Sequence, residues 1–173
     1  MFDLIVNIGR FQIYHDGHYN NHISGLKLAK NMIIFIGSIN RHDLENNPFS
    51  FEQRKLLISE NLKPYTDRLF IKGICDFEDN MVWKNEILKK IKEISNTNNI
   101  GLIGFNKDNS SFYLNMFQEF KLINTTPTLD KCGNIINAKD LRHLYYQNKI
   151  NKIENISNIT KQILYSFRGN IGE

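Results

Sequence analysis

No stretch of this 173-residue chain is apolar for long enough to cross a membrane. The opening MFDLIVNIGR carries an acid at Asp3 and no basic leader, which argues against a secretory signal. Cysteine is scarce: Cys75 and Cys132 lie far apart and in no metal-binding pattern, the usage expected of a reduced, cytoplasmic protein. There are only three prolines, no internal repeat and no low-complexity linker, so one domain over residues 1–173 is the economical reading. No block of like charge stands out. Lys and Arg outnumber acids only 22 to 18, for a net charge of +4. That balance does not call for a nucleic-acid partner, and it suits a site for polyanionic small molecules equally well. Two nucleotide signatures are also missing. There is no G-x-x-x-x-G-K-[ST] phosphate loop, and no G-x-G-x-x-G after the first strand.

Short apolar runs alternate with helical patterns. The runs 2–9, 32–37, 69–74, 100–104 and 120–124 read as strands, several ending in Gly. Helices are expected over 17–30, 50–62, 80–94, 110–117, 137–147 and 156–167. Of these, 50–62 opens on the capping box Ser50-Phe51-Glu52-Gln53. Trp83, Ile87, Leu88, Ile91 and Ile94 share one side of 80–94. The pattern implies an α/β fold: a doubly wound parallel sheet of about five strands with flanking helices and further helices at the C-terminal end. In such sheets ligands bind beyond the C-terminal strand ends, which points to the loops 10–16, 38–49, 75–79 and 105–109.

The first of these loops reads Gly9-Arg10-Phe11-Gln12-Ile13-Tyr14-His15-Asp16-Gly17-His18. Gly9 lets a ligand approach the backbone, and a helix N-terminus attracts anions. Two imidazoles and Arg10 could donate to phosphate oxygens there. His15, His18 and His22 could instead bind zinc, although catalytic zinc needs three converging ligands and His15 precedes the helix. On spacing alone both readings stand. His22 also reads as a plain surface residue. Trp83, by its place in an amphipathic helix, reads as a core residue.

The segment GRFQ-x-x-H-x-G-H resembles the signature of the HxGH nucleotidyltransferase superfamily. Four later blocks resemble its nicotinamide mononucleotide (NMN) adenylyltransferases: GSINRHDLENNPFSFEQRKLLI, CDFEDNMVW, IGFNKDNSSFYLNMF and INAKDLR. The third is similar to the subgroup often fused to a Nudix domain, for which this chain has no room. The resemblance spans roughly residues 5 to 147 and implies a Rossmann-like fold. It implies that His15 and His18 bind the ATP phosphates and stabilise transition-state charge, with Arg10 and the backbone of Gly9, Phe11 and Gly17 beside them. Gly104, Lys107 and Asp108 would lie on the adenosine side, and Asn137, Lys139 and Arg142 near the β- and γ-phosphates. Trp83 would stack on the nicotinamide ring, with Asp76 and Asn80 at its carboxamide. Mg²⁺ would arrive with ATP, held by phosphate oxygens and water rather than by protein side chains.

Two positions depart from the family pattern. Lys139 stands where a threonine hydroxyl is usual, and Asn137 replaces a capping serine. The region before Asn47-Pro48-Phe49 is acidic, with Arg41 as the nearest base. The expected activity is transfer of AMP from ATP to NMN, giving NAD and pyrophosphate. The alternatives are another phosphorylated acceptor (nicotinic acid mononucleotide or phosphopantetheine) and a weakly active nucleotide sensor. The expected partners are nucleotides, with no nucleic acid and no membrane, and the sequence is compatible with a homo-oligomer.

Overall fold

The computed structural model describes residues 1–106 and 109–169. Lys107 and Asp108, expected on the adenosine side, lie outside the described residues. The chain runs β1 (Phe2–Gly9), α1 (Asp16–Leu28), β2 (Ala29–Ile36), α2 (Phe51–Asn61), β3 (Leu69–Gly73), α3 (Asn80–Ile94), β4 (Ile100–Gly104), β5 (Lys121–Asn124), α4 (Ala138–Tyr146) and α5 (Asn158–Gly169). Short 3-10 helices occupy Lys63–Arg68, Asn109–Asn115 and Ile150–Lys152. The strands form one parallel sheet in the order β3-β2-β1-β4-β5. This is the expected doubly wound, Rossmann-like arrangement. The order reverses between β1 and β4, the switch point beyond which a ligand crevice opens. Among the described residues no helix is long and apolar enough to cross a membrane.

Period-two alternation divides the core between the two faces of the sheet. Ile5, Met32, Ile34, Ile36 and Ile103 face α1, α2, α4 and α5. Leu4, Val6, Ile8, Ile33, Phe35 and Leu102 face α3 and the segment around Leu114 and Phe117. A strand buried on both sides must be apolar at every position, which is why 32–36 shows no polar break.

The sequence places residues 29 and 30 in a helix, whereas the structure ends α1 at Leu28 and starts β2 at Ala29. Ala29 is already the register partner of Phe2. Arg68 makes the abrupt exit affordable, since its guanidinium donates to the carbonyls of Leu26 (2.9 Å) and Ala29 (3.0 Å). The expected helix over 110–117 is a 3-10 helix over Asn109–Asn115. The capping box at α2 is present: Ser50 Oγ accepts from the Gln53 N–H, and Gln53 Oε1 accepts from the Ser50 N–H.

One polar group sits where the sequence suggested a surface residue. His22 is fully buried between α1 and the sheet. Its Nε2 lies 2.8 Å from Asn7 Oδ1, and its Nδ1 lies 2.9 Å from the Tyr14 hydroxyl. Asn7 Nδ2 donates in turn to the Ile103 carbonyl at 2.8 Å. The chain is satisfied end to end, as a buried polar group must be.

Two stability measurements follow. Ile34→Ala empties a fully buried site at the centre of the sheet and is expected to cost about 2–5 kcal/mol in urea denaturation. Burial lowers the His22 pKa from 6.5 to about 3. The unfolded chain therefore takes up this proton below its ordinary pKa, while the folded chain refuses it until about pH 3. The stabilisation is complete above pH 6.5 and is lost as pH falls towards 3, at up to about 1.4 kcal/mol per pH unit. Urea titrations at a series of pH values should show this slope in the wild type and its loss in His22→Gln.

Candidate active site

The loops after β1, β2, β3 and β4 converge on one cleft of about 710 Å³. This lies within the range of small-molecule sites. Gly9, Arg10, Phe11, His15, Gly17 and His18 form one end, Asp76, Asn80 and Trp83 another, and Gly104 and Phe105 a third side. Three sequence blocks that were expected to act together therefore do share one cavity.

At the first end the chain leaves β1 through Phe11, whose φ of 56° is left-handed. The Phe11 ring folds back under Gly9, where a Cβ would lie 2.8 Å from it. Gly9 is thus required by the close approach of the Phe11 ring. His15 is the N-cap of α1: its Nδ1 accepts from the Gly17 N–H at 3.1 Å. His18 Nδ1 accepts from the His15 N–H at 3.2 Å. The pair forms a capping box made of imidazoles, with the rings stacked at 3.7 Å. An acceptor Nδ1 places the remaining N–H of each neutral ring on Nε2. Gly17 fits the same packing, because a Cβ there would meet the His15 ring at 2.9 Å.

This geometry bears on both the phosphate and the zinc readings. Both nitrogens of His22 are engaged in the core, and both Nδ1 atoms of the other pair accept backbone N–H groups. Three imidazoles do not converge. Among the described residues no group of three or more His, Cys, Asp or Glu side chains could hold a metal ion. What remains is a donor set beside a helix N-terminus, which suits an anion.

Arg54 underlies this end. Its guanidinium, 1% exposed, donates to the carbonyls of Arg10 (2.9 Å), Gly37 (2.7 Å) and Ser50 (3.2 Å). Burial, and then the charge of Arg10, lower its pKa to about 10. The Gln12 side chain makes a two-way bond with the Phe49 backbone, both contacts at 3.0 Å, and so ties the loop after β1 to the loop after β2.

At the acceptor end Trp83 is half-buried. It packs against Tyr113 (6.3 Å) and Phe117 (5.9 Å) while also lining the cleft. The residue thus belongs partly to the core and partly to the cleft wall. Asp76 accepts from Ser38 Oγ at 2.9 Å and from Arg41 Nε at 3.2 Å. Asn40 bonds the Asp76 backbone on both sides. The nearest base to the Asn47-Pro48-Phe49 turn therefore belongs to the Asp76 wall. Asn80 opens α3, whose N-cap is Asp79.

The late-helix residues are placed differently from the expectation. Asn137 caps α4, accepting from the Lys139 N–H at 3.0 Å. The cleft wall includes Ile135 and Ile136 but not Asn137, Lys139 or Arg142. Lys139 is exposed. Arg142 is buried, donating from Nε to the Glu45 carbonyl at 2.9 Å and from a terminal nitrogen to the Gln12 carbonyl. Burial, and then Arg10, lower its pKa. Two of its guanidinium nitrogens brace the loops that carry Gln12 and Glu45.

Sequence reasoning did not single out Ser38, Asn21 or Tyr113 as wall residues. Tyr113 donates to the Ile8 carbonyl at 3.0 Å, and burial raises its pKa to about 12. Its place inside the block 103–117 that resembled the family was a usable signal.

Comparisons with known proteins bear on the family and the fold. No family model matches the chain. A curated relative from Acinetobacter baylyi, a nicotinamide/nicotinic acid mononucleotide adenylyltransferase, is 30% identical over 151 residues, covering 86% of this chain and 78% of its own. The crystal structure of a bifunctional NMN adenylyltransferase/ADP ribose pyrophosphatase from Francisella tularensis superposes with a TM-score of 0.81 at 32% identity. It covers 98% of this chain, which spans half the length of that protein. A structure of the Francisella enzyme with AMP and a manganese ion gives a TM-score of 0.79 at 31% identity, again over 98% of this chain and 50% of that one. With its strand order, its imidazole-capped first helix and these relatives, the chain belongs to the NMN adenylyltransferases, nucleotidyltransferase enzymes that make NAD by adenylyl transfer.

Proposed function

We propose that this chain transfers AMP from ATP to NMN within the single cleft, with residues 1–173 acting as one nucleotidyltransferase domain. An NMN phosphate oxygen attacks the α-phosphorus in line, the bond to the β-phosphate oxygen breaks, and pyrophosphate leaves. The observation that carries this reading is the shared cavity. It holds the imidazole-capped N-terminus of α1 at one end and Trp83 with Asp76 and Asn80 at another.

Two phosphorylated reactants repel each other, and the NMN phosphate is already an anion at neutral pH. The reaction needs no general base, and its barrier falls through positioning and charge stabilisation. His15 and His18 donate from Nε2 to phosphate oxygens, and Arg10 adds a bidentate contact. The backbone of Gly9, Phe11 and Gly17 completes the phosphate end. Gly104 lies on the adenosine side, where Lys107 and Asp108 were also expected. Trp83 offers its cavity-facing surface to the nicotinamide ring, and Asp76 and Asn80 meet the carboxamide. Asn137 and Arg142 act from behind, by capping α4 and bracing Gln12 and Glu45, and Lys139 adds positive charge outside the cleft wall.

ATP enters as its Mg²⁺ complex, and the metal is held by phosphate oxygens and water. The donor set at the phosphate end supports this, since N–H groups bind phosphate oxygens and not a cation. The structure of a relative with AMP and a manganese ion supports a divalent ion. Nicotinic acid mononucleotide is the second acceptor to test, because the Acinetobacter relative is named for both. The wall of Asp76, Asn80 and Trp83 favours a pyridine acceptor over phosphopantetheine. Two unpaired thiols, Cys75 and Cys132, suit a reducing, cytoplasmic setting.

Purified protein given ATP, Mg²⁺ and NMN is expected to form NAD, read by a coupled dehydrogenase. Nucleotide binding without turnover would overturn the assignment in favour of a sensor. His18→Ala is expected to lower kcat by ~10²–10³-fold in a protein that still folds, with a melt lowered by the loss of half a capping box; an unchanged kcat would remove His18 from the chemistry. Trp83→Ala is expected to raise the KM for NMN by about tenfold or more, as loss of a stacking face should. A collapsed melt with unchanged KM in the survivors would make Trp83 a core residue only.

A further inference from the structure

The buried chain around His22 has a direction that can be read bond by bond. Asn7 Nδ2 donates to the Ile103 carbonyl, so Oδ1 is the group that Asn7 turns towards His22. Oδ1 can only accept, so His22 Nε2 carries the proton. His22 Nδ1 is then an acceptor, and the Tyr14 hydroxyl donates to it. Burial keeps both ends in these forms, holding His22 neutral and raising the Tyr14 pKa well above its usual value.

The chain ends on the ring that supports His18. Tyr14 lies nearly parallel to the His18 imidazole, with centroids 5.7 Å apart and planes 20° apart. It lies in the same way against His22, at 5.6 Å and 18°. Phe11 closes the edge of both imidazoles, at 4.9 Å from His18 and 5.3 Å from His22. The bond from the His15 N–H fixes His18 at Nδ1 but permits a swing about that point. The rings of Tyr14 and Phe11 restrict that swing. An apolar side chain at position 22 could fill the same space, yet it could not fix the rotation of Tyr14. A buried polar chain is costly unless complete. Here it is complete, and it runs from the backbone of β4 to the ring behind His18.

We propose that His22 is a positioning residue for adenylyl transfer: through its hydrogen bond to Tyr14 it sets the plane of the His18 imidazole, so that Nε2–H meets the charge developing on the transferred phosphoryl group. This rests on the role given to His18 above. A misdirected donor loses transition-state stabilisation while leaving ground-state binding largely intact.

The test uses His22→Leu, which removes both bonds; His22→Gln, which can donate to Asn7 and accept from Tyr14; and Tyr14→Phe, which deletes one hydroxyl and keeps the ring. Each is made in the wild-type and His18→Ala backgrounds. Thermal melts, kcat and KM are measured for all. His22→Leu and Tyr14→Phe are expected to lower kcat by about 10- to 100-fold with each KM within about threefold. His22→Gln should recover most of the rate. In the His18→Ala background none of the three should lower kcat further. Equal proportional losses in both backgrounds would overturn the proposal, as would a wild-type kcat in Tyr14→Phe. If His22→Leu does not fold, Tyr14→Phe decides alone. A second readout does not depend on turnover. The ring ¹H shifts of His18, which sense the orientation of the Tyr14 and Phe11 rings packed on it, should move in Tyr14→Phe, while the Nε2–H tautomer fixed by the His15 N–H is kept. Identical spectra in the two proteins would also overturn it. If the wild type makes no NAD, the proposed function fails, and the spectra still decide whether His22 orients His18.

Discussion

A single buried guanidinium holds the platform on which this site stands. Arg54 reaches from α2 to the carbonyls of Arg10 and Gly37, the residues at which β1 and β2 hand over to their loops. In a parallel sheet those carbonyls point out of the C-terminal edge with no further strand partner. A charged donor satisfies both at once, and its own desolvation is offset by those bonds. Arg142 serves the next loop in the same way, bonding the carbonyls of Gln12 and Glu45. Two arginines thus act on backbone, which leaves Arg10 facing the cleft. Their positive charge still contributes to the field at the phosphate end, as their mutual effects with Arg10 show.

The phosphate end itself is built from imidazoles used as caps. A helix N-terminus is normally closed by Ser, Thr, Asp or Asn. Here His15 and His18 take that work with Nδ1, so the same bonds that start α1 also orient the rings. Folding the helix and aligning the donors become one event. Gly17 follows from it, since any side chain at that position would displace the His15 ring.

The acceptor end follows a different rule. Trp83 is anchored by Phe117 and Tyr113 on one side and open to the cleft on the other, so its ring is rigid before any ligand arrives. Asp76 is held by Ser38, Arg41 and Asn40, all from the loop after β2. Preorganisation of this kind reduces the ordering cost of binding. It also connects the two ends, because the loop that carries Ser38 begins at the Gly37 carbonyl that Arg54 holds.

Much of this was legible before any coordinates. Apolar runs bounded by Gly give β1 and β4 end to end, and the amphipathic stripe gives α3, because burial on both faces of a sheet or on one side of a helix imposes a local period. The Ser50 capping box is local too. Other features depended on residues distant in the chain. The helical period of Ile23, Leu26 and Ala29 runs past the true end of α1, since only pairing with Phe2 and the carbonyl contacts of Arg68 stop it there. Arg41 meets Asp76 across 35 positions, and Arg142 meets Gln12 across 130. His22 shares a helical face with His18 by spacing, and spacing is silent on whether that face meets solvent or Asn7. Periodicity, caps and turn residues settle which elements form, because their causes lie within a few residues. Which polar groups end in the core and which at the cleft is settled only when distant strands and helices close on one another and water leaves the space between them.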